Sequence, residues 1–160
     1  MTSMTNQQLF MRKAIKLALE NVQTGKGGPF AALIVKENNI IASGTSLVTS
    51  LNDPTAHAEI IAIREACKIL GTFQLRRCEI YSSCEPCPMC LGAMYWARLA
   101  KIFIASIMQD AADAGFDDAF IYSEFSKKIS ERKMPMVLMP QNEALEVFKE
   151  WKKKGDKVKY

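Results

Sequence analysis

The 160-residue sequence has no long apolar run, no internal repeat and no low-complexity segment. No stretch approaches the roughly 18 apolar residues that a membrane-spanning helix needs, and residues 1–8 are largely polar, unlike a secretory signal. We therefore expect a cytoplasmic protein with no membrane partner. The hydrophobic fraction of 49% and the charged fraction of 24% are near the soluble average. Length and composition favour a single domain over residues 1–160.

Histidine is scarce: it occurs once, at position 57, so any imidazole ligand must be His57. Cysteine occurs five times, an odd number that leaves one thiol outside any disulfide framework. Three of the cysteines, Cys84, Cys87 and Cys90, follow one another at a spacing of three residues. Such crowding is typical of metal ligation in a reducing compartment.

Charge of either sign is not in large excess, and the formal net charge is +4. Much of the excess lies near the C-terminus, which holds six lysines: Lys149, Lys152, Lys153, Lys154, Lys157 and Lys159. A solvated helix face accounts for such a run, although lysines can also attract a phosphate backbone. We expect no nucleic-acid partner and treat RNA binding as the alternative.

The first third of the chain predicts one helix followed by a β-hairpin. Thr5 and Gln8 form a capping-box pattern, and apolar residues then recur at helical spacing until Gly25. Residues 30–36 and 40–48 are rich in strand formers, and the Asn38-Asn39 pair between them is typical of a turn.

Helices and strands alternate beyond residue 55. The pattern predicts helices over residues 55–70, 86–98 and 143–153, and strands over 79–82, 101–106 and 136–139. Strand-helix-strand units require parallel pairing, whereas the opening hairpin is antiparallel. We therefore expect an α/β fold, a three-layer α/β/α sandwich around a mixed five-stranded sheet.

Two short segments carry the residues of a metal site. His57 stands two residues before Glu59 at the start of a predicted helix, and Cys87 and Cys90 open the next one. Thiols three residues apart on a helix share one face. Helix N-termini favour thiolate over thiol, because the positive end of the helix dipole lies there. The pattern predicts one zinc per chain, held by one nitrogen and two sulfurs.

Cys84 offers a competing arrangement. If it joined the other ligands, the zinc would have four protein ligands and only a structural role, as in a zinc-stabilised binding module. Glu59 favours the open site, because a carboxylate beside a metal with a free position can carry protons during hydrolysis. We therefore predict a catalytic role for Glu59.

A His-x-Glu motif followed by Pro-Cys-x-x-Cys is the signature of zinc-dependent nucleobase deaminases. Residues 54–59 (PTAHAE) and 83–90 (SCEPCPMC) resemble the cytidine deaminase superfamily without a gap. Residues 27–30, 94–98 and 114–118 are similar to the branch of that superfamily that acts on the free base guanine. The similarity extends over essentially the whole chain.

The resemblance implies hydrolytic deamination of guanine to xanthine and ammonia, with Glu59 carrying protons for a metal-activated water. It implies that Phe30 lines the pocket for the base. Ser46 stands where the superfamily usually has an asparagine that holds the base. Ala58 and Cys84, which flank the metal ligands, complete this group of expected substrate contacts.

Two further expectations concern specificity and assembly. Guanine presents its N1–H and 2-amino group as donors, so a carboxylate such as Asp118 should prefer it to adenine or cytosine. The alternative is that Asp117 and Asp118 only cap a loop. The resemblance also implies a homodimer that exchanges C-terminal segments, in which the tail 154–160 reaches a partner subunit and Tyr160 closes that subunit's site.

Three alternatives stay open at this point. A deaminase acting on adenosine in transfer RNA or on cytosine would share the zinc motifs, because the motifs belong to the superfamily. A non-catalytic zinc-stabilised module would share the ligands but would not need Glu59.

Overall fold

The structure is a computed structural model that describes residues 4–116 and 118–160. The chain divides into two compact units, one ending at Ala119 and the other running from Phe120 to Tyr160. The first unit contains a sheet with helices around it. The second contains helices and irregular chain.

The opening helix, α1, spans Asn6–Gln23 and has the predicted capping box. Thr5 Oγ1 accepts a hydrogen bond from Gln8 N at 3.3 Å, and the Gln8 side chain accepts one from Thr5 N at 2.9 Å. These bonds satisfy N–H groups that the start of a helix otherwise leaves unpaired. The buried face of α1 carries Ala14 and Ala18, whose small size lets the helix lie close to the strands.

The sheet of the first unit has four strands, in the order β2-β1-β3-β4. Their bounds are β1 Ala31–Lys36, β2 Asn39–Thr45, β3 Cys78–Ser82 and β4 Lys101–Ile104. β1 pairs antiparallel with both β2 and β3, and β3 pairs parallel with β4. The predicted mixed sheet and the predicted hairpin are both confirmed.

The hairpin turn falls one residue earlier than the sequence predicts. Glu37 and Asn38 have φ values of 50° and 60°, and two consecutive residues with positive φ form the turn that matches the twist of a two-residue hairpin. Asn39 already belongs to β2, and its side chain donates a hydrogen bond of 2.9 Å to the Glu37 carbonyl.

The remaining helices of the first unit are α2 Val48–Leu51, α3 Ala58–Leu70, α4 Pro88–Trp96 and α5 Met108–Asp113. α2 ends the extended segment that the sequence predicts up to residue 48. α3 begins three residues later than predicted, at Ala58, because Asp53 accepts hydrogen bonds from the amide and hydroxyl of Thr55 and holds a turn there.

Helices cover both faces of the sheet. α1 packs on the face that presents Leu33 and Tyr81. α3 and α4 contribute to a larger core that includes Ile34 and Ile80 from the strands. Both faces of β1 are therefore buried, which explains why it reads as one continuous apolar run.

The second unit corrects the prediction of a fifth strand. It contains all but the first residue of α6 (Ala119–Ser126), a 3₁₀ turn Ile129–Glu131 and α7 Asn142–Lys153, whereas residues 136–139 are irregular. A strand needs a partner for its backbone ladder, and residues 120–160 contain no second strand. The apolar side chains of 136–139 are exposed. The sheet thus has four strands, and the predicted last helix is confirmed within one residue at its start.

No helix among the described residues is long and apolar enough to cross a membrane.

Candidate active site

One cavity in the first unit brings most of the predicted site residues together. Its volume is about 440 Å³. Three short segments and two helix starts form its wall, with the following lining residues: Gly25, Gly27, Gly28, Phe30, Ser46, Val48, Thr49, His57, Ala58, Glu59, Glu85, Cys87, Phe116 and Asp118.

The start of α3 and the start of α4 bring the three metal-ligand candidates together. His57 is the N-cap of α3, and Cys87 is the N-cap of α4, with Pro88 at the first helical position. Proline is tolerated there because the N–H that it lacks would have no partner within the helix. Cys90 lies in the first turn of α4 and is fully buried.

The spacing of these side chains fits a tetrahedral zinc ion. His57 Nδ1 lies 3.6 Å from the sulfur of Cys87 and 3.6 Å from the sulfur of Cys90. Bond lengths of about 2.3 Å to sulfur and 2.1 Å to nitrogen at a tetrahedral angle place the two ligand atoms about 3.6 Å apart. All three ligand atoms lie within 4.8 Å of one another. The donor set therefore fits one zinc per chain, with Nδ1 as the imidazole ligand.

The pKa values of the Cys87 and Cys90 thiols are shifted in opposite directions. The hydrogen bond with Cys90 lowers the pKa of Cys87 to about 4, and His57 adds to this effect. The same hydrogen bond, together with burial, raises the pKa of Cys90. The pair therefore shares one proton, and a divalent cation between the sulfurs favours release of that proton, because thiolate rather than thiol is the ligand.

Cys84 lies outside this ligand group. Its thiol is 3.6 Å from the carbonyl oxygen of Ile107, and burial raises its pKa. Among the described residues, the group that could hold a metal contains His57, Cys87 and Cys90 only. Three protein ligands leave tetrahedral zinc one position for water or substrate, so the geometry favours the open site over the closed one.

Glu59 lies beside the ligands on the first turn of α3. Its side chain is 5% exposed and accepts a hydrogen bond of 2.9 Å from the Ser82 hydroxyl at the end of β3. Its second carboxyl oxygen is 3.4 Å from the sulfur of Cys90. Burial raises the pKa of Glu59. A buried carboxyl group that lines the same cavity as the metal ligands can take up and release protons there.

Two aromatic rings form part of the cavity wall. Phe30 and Phe116 meet edge to face, with ring centroids 4.9 Å apart and an interplanar angle of 84°. Phe30 was expected from the sequence, whereas Phe116 was not singled out as a contact. Edge-to-face pairs of this kind are a favoured aromatic geometry, so each ring holds the other in place against the cavity.

The other expected substrate contacts fall in different places. Ser46, Ala58 and Asp118 line the cavity, whereas Cys84 does not. Asp117 is outside the described residues. Tyr160, 72% exposed, belongs to the second unit.

Sequence reasoning missed two polar residues that support the site. Ser82 bonds the carboxylate of Glu59, and Asn21 bonds the main chain of the cavity wall. A serine that ends a strand carries no recognisable signal. Asn21 carried a signal that could have been used, because it is a polar residue on the otherwise apolar face of a helix.

A histidine, two cysteines and a buried glutamate at two helix N-termini, carried on an α/β sheet, are the arrangement of zinc-dependent deaminases. Residues 4–106 match the family described as the cytidine and deoxycytidylate deaminase zinc-binding region. The chain belongs to this family of zinc-dependent hydrolases.

Within this family, the chain is more similar to some members than to others. The chain is 52% identical to guanine deaminase of Bacillus subtilis over 97% of its own length and 99% of that protein. The X-ray structure of guanine deaminase from Bacillus subtilis superimposes with a TM-score of 0.95, covering 98% of this chain and 99% of that one. A tRNA-specific adenosine deaminase of Aquifex aeolicus is more distant, with 33% identity over 92% of this chain and 95% of its own.

Proposed function

We propose that this protein hydrolyses guanine to xanthine and ammonia. The observation that carries the proposal is a cavity in which the metal ligands His57 and Cys87 lie beside the buried carboxyl group of Glu59. The 52% identity to a guanine deaminase over nearly the full length supports guanine as the substrate. In the reaction, one water supplies the oxygen that is added at C2 of guanine, and the 2-amino group leaves as ammonia.

Proton transfer is the part of this reaction that the chain itself performs. His57, Cys87 and Cys90 would hold the zinc ion, and zinc bound there would lower the pKa of a water molecule to near neutrality. Glu59 would take up the proton that the attacking water loses. It then delivers a proton to the ring nitrogen beside the reacting carbon, and a later transfer to the amino group lets ammonia leave. The Ser82 hydroxyl keeps one carboxyl oxygen of Glu59 in a fixed orientation.

The cavity wall supplies contacts for a flat purine. Phe30 and Phe116 present aromatic surface, and the Asp118 carboxylate accepts from the N1–H and 2-amino donors of guanine. A base without those donors would leave the carboxylate unpaired, which disfavours its binding. Ser46 adds a hydroxyl, and Ala58 adds main-chain surface at the start of α3. If Cys84 contacts the base, it does so through its main chain, since its thiol is directed at the carbonyl oxygen of Ile107.

We also propose that two copies exchange their C-terminal segments, with residues 154–160 reaching the other subunit. The second unit leaves many large apolar side chains exposed, among them Met134, Leu138, Phe148 and Trp151, and such a surface favours a protein partner. Tyr160 at the chain end would then close the neighbouring cavity.

Mixed subunits test the exchange. A Glu59→Ala subunit and a subunit that lacks Tyr160 are each expected to be inactive alone, and their mixture should recover activity if each cavity takes Tyr160 from the other chain. Recovery that fails in a mixed dimer confirmed by mass spectrometry would contradict sharing.

The lysine-rich segment gives no support to an RNA substrate. Three of its six lysines are paired with carboxylates, as Lys149 with Glu146, Lys153 with Glu150 and Lys154 with Asp156, at 2.6–2.8 Å. The pairing reduces the positive potential that a phosphate backbone would meet. It is what a solvated helix face presents.

A substrate panel tests the proposed function. Purified protein with one zinc per chain is incubated with guanine, adenine, cytosine, cytidine and a transfer RNA, and ammonia release is followed. We expect turnover of guanine without nucleic acid. If no ammonia is released from guanine, or if transfer RNA alone is turned over, the proposal is overturned.

We also propose that the protein acts in the cytoplasm. All five cysteines are free, and a reducing compartment keeps the ligand thiols available.

A further inference from the structure

Asn21 connects three segments of the chain, two of which belong to the cavity wall. The residue is 3% exposed, on the buried face of α1. Its side-chain amide donates to the carbonyl oxygen of Gly28 at 2.9 Å and to that of Ser46 at 2.8 Å. The main-chain carbonyl oxygen of Asn21 accepts a hydrogen bond from Lys26 N at 3.1 Å. Both N–H groups of the amide are thus used on main-chain atoms of the cavity wall.

The two tethered segments approach each other at main-chain contact distance. A Cβ atom added at Gly27 would lie 2.0 Å from the Ser46 carbonyl oxygen, so only glycine fits there. The carbonyl oxygens of Gly28 and Ser46 both point at one amide, and neither could satisfy the other because both are acceptors. Asn21 therefore supplies the donors that hold these segments together.

The position of Ser46 matters for what the cavity can bind. The residue is 7% exposed and lines the cavity, and within the described part of the chain its hydroxyl has no hydrogen-bond partner. A serine hydroxyl extends a single bond beyond Cβ, so its location follows the main chain closely. Any shift of the Ser46 backbone moves the hydroxyl by a similar amount.

We propose that Asn21 is a positioning residue that sets the shape of the cavity beside Ser46 by holding Gly28 and Ser46 together. The inference rests on the proposed function for the identity of the base. Asn21 does not line the cavity and acts through the two residues that it bonds. Glu59 and the metal ligands lie on other elements, so the effect concerns binding more than proton transfer.

The first test separates binding from turnover. Asn21→Asp replaces the donor group by an acceptor of the same shape, and Asn21→Ala removes the tether without adding charge. We expect the KM for guanine to rise about tenfold in each, since two buried hydrogen bonds are lost, while kcat stays within about twofold and zinc stays at about one per chain.

Asn39→Asp is the matched control, because the Asn39 amide also donates to a main-chain carbonyl but on the exposed hairpin turn. Its KM should equal that of the wild type. An Asn21 variant with reduced thermal stability but unchanged KM would show a merely structural role and overturn the inference.

A second test does not depend on guanine. Hydrogen exchange of the amides in 25–30 and 44–48 is measured on the zinc-loaded protein without substrate, where Ser46 N donates to the Phe30 carbonyl at 3.0 Å. Asn21→Ala should speed exchange in both segments about tenfold and leave residues 78–82 unchanged. Equal exchange rates in the wild type and in Asn21→Ala would show that Asn21 does not hold the two segments together.

The two failures can be told apart. If the wild type does not turn over guanine but Asn21→Ala speeds exchange as expected, the proposed substrate is wrong and the role of Asn21 is kept. If the wild type is active but Asn21→Ala does not change exchange, the role of Asn21 is wrong and the proposed function is kept.

Gly27→Ala is a second way to disturb the contact between residues 27–28 and Ser46. The added methyl group would displace the Ser46 carbonyl, so this variant should raise the KM for guanine in the same direction as Asn21→Ala. The double variant should be no worse than about twofold beyond the stronger single one, because both changes break the same contact. Fully multiplicative effects would contradict a shared mechanism.

Discussion

The Ser82 hydroxyl donates a hydrogen bond of 2.9 Å to Oε1 of Glu59, and both side chains are buried. The bond joins the last residue of β3 to the first turn of α3. It leaves the other carboxyl oxygen, which is 3.4 Å from the Cys90 sulfur, on the side of the metal ligands. The sheet thus orients the carboxyl group that we propose to carry protons.

Replacing Ser82 by alanine should therefore impair turnover. A hydrogen bond to a charged group contributes about 1.5–3 kcal/mol, so loss of this bond should lower kcat by about tenfold or more, without changing zinc content. Steady-state kinetics with metal analysis checks this. Ser43→Ala is the control, since Ser43 is an exposed strand residue, and unaltered kcat in Ser82→Ala would show that the bond does not orient Glu59.

Glu59→Gln should retain the metal and lose activity. The amide has nearly the shape of the carboxylate but cannot take up a proton, and general acid-base catalysis contributes about 10²–10⁴-fold. We expect kcat to fall by about that factor with one zinc per chain retained. Glu65→Gln on the exposed side of α3 should behave as the wild type. Loss of zinc from Glu59→Gln would assign the carboxylate to the metal rather than to proton transfer.

Removal of the metal should destabilise the first unit. Zinc joins the start of α3 to the start of α4 through His57 and Cys90, and a ligand that binds only the folded state at 1,000 times its Kd stabilises by about 4.1 kcal/mol. Cys90→Ser should lose zinc and activity and melt several degrees lower. Cys67→Ser, outside the ligand group, should keep both zinc and activity. Full zinc content in Cys90→Ser would contradict the ligand assignment.

Phe116→Ala should weaken binding of the base. The variant removes aromatic surface from the cavity wall and frees Phe30, whose ring meets Phe116 at 4.9 Å. An aromatic pair contributes about 0.5–1.5 kcal/mol beyond burial, so we expect KM to rise about tenfold. Phe73→Ala, at an exposed position after α3, is the control. An unchanged KM would show that the ring does not contact the substrate.

The metal ligands could be predicted from the sequence because their chemistry is local. His57, Cys87 and Cys90 are of residue types that bind zinc, and each lies within one turn of a helix start whose signals are also local. The hairpin and α1 could be predicted for the same reason, from caps, turns and periodicity.

The parts that could not be predicted depend on contacts distant in sequence. Ser82 meets Glu59 across 23 residues and Asn21 meets Ser46 across 25, and neither pairing leaves a pattern in the chain. The fifth strand was predicted from the apolar segment 136–139, but an apolar run does not show whether a partner strand exists. The same sequence here forms an exposed irregular segment.

A substitution at Gly44 would test whether the sheet sets the position of α3. A Cβ atom at Gly44 in β2 would lie 2.2 Å from the Ala58 carbonyl oxygen and 2.7 Å from Ala62 N, so Gly44→Ala must push the first turn of α3 away from the strand. Overpacking of this kind costs about 1–3 kcal/mol, and the shift would move His57 and Glu59 together.

We therefore expect Gly44→Ala to lower the Tm by several degrees, at about 2–4 °C per kcal/mol, and to lower kcat as well. Gly92→Ala in α4 is the matched control, and we expect it to change the Tm in the opposite direction. Beyond the backbone of α4 itself, no atom of the described residues lies within 4 Å of a Cβ built at Gly92. Alanine in a helix is about 0.5–1 kcal/mol more favourable than glycine, so the Tm of Gly92→Ala should rise slightly. Calorimetry and kinetics on both variants check the pair. A Gly44→Ala protein with unchanged Tm and kcat would mean that α3 tolerates displacement, and that the contact with β2 does not fix the active site.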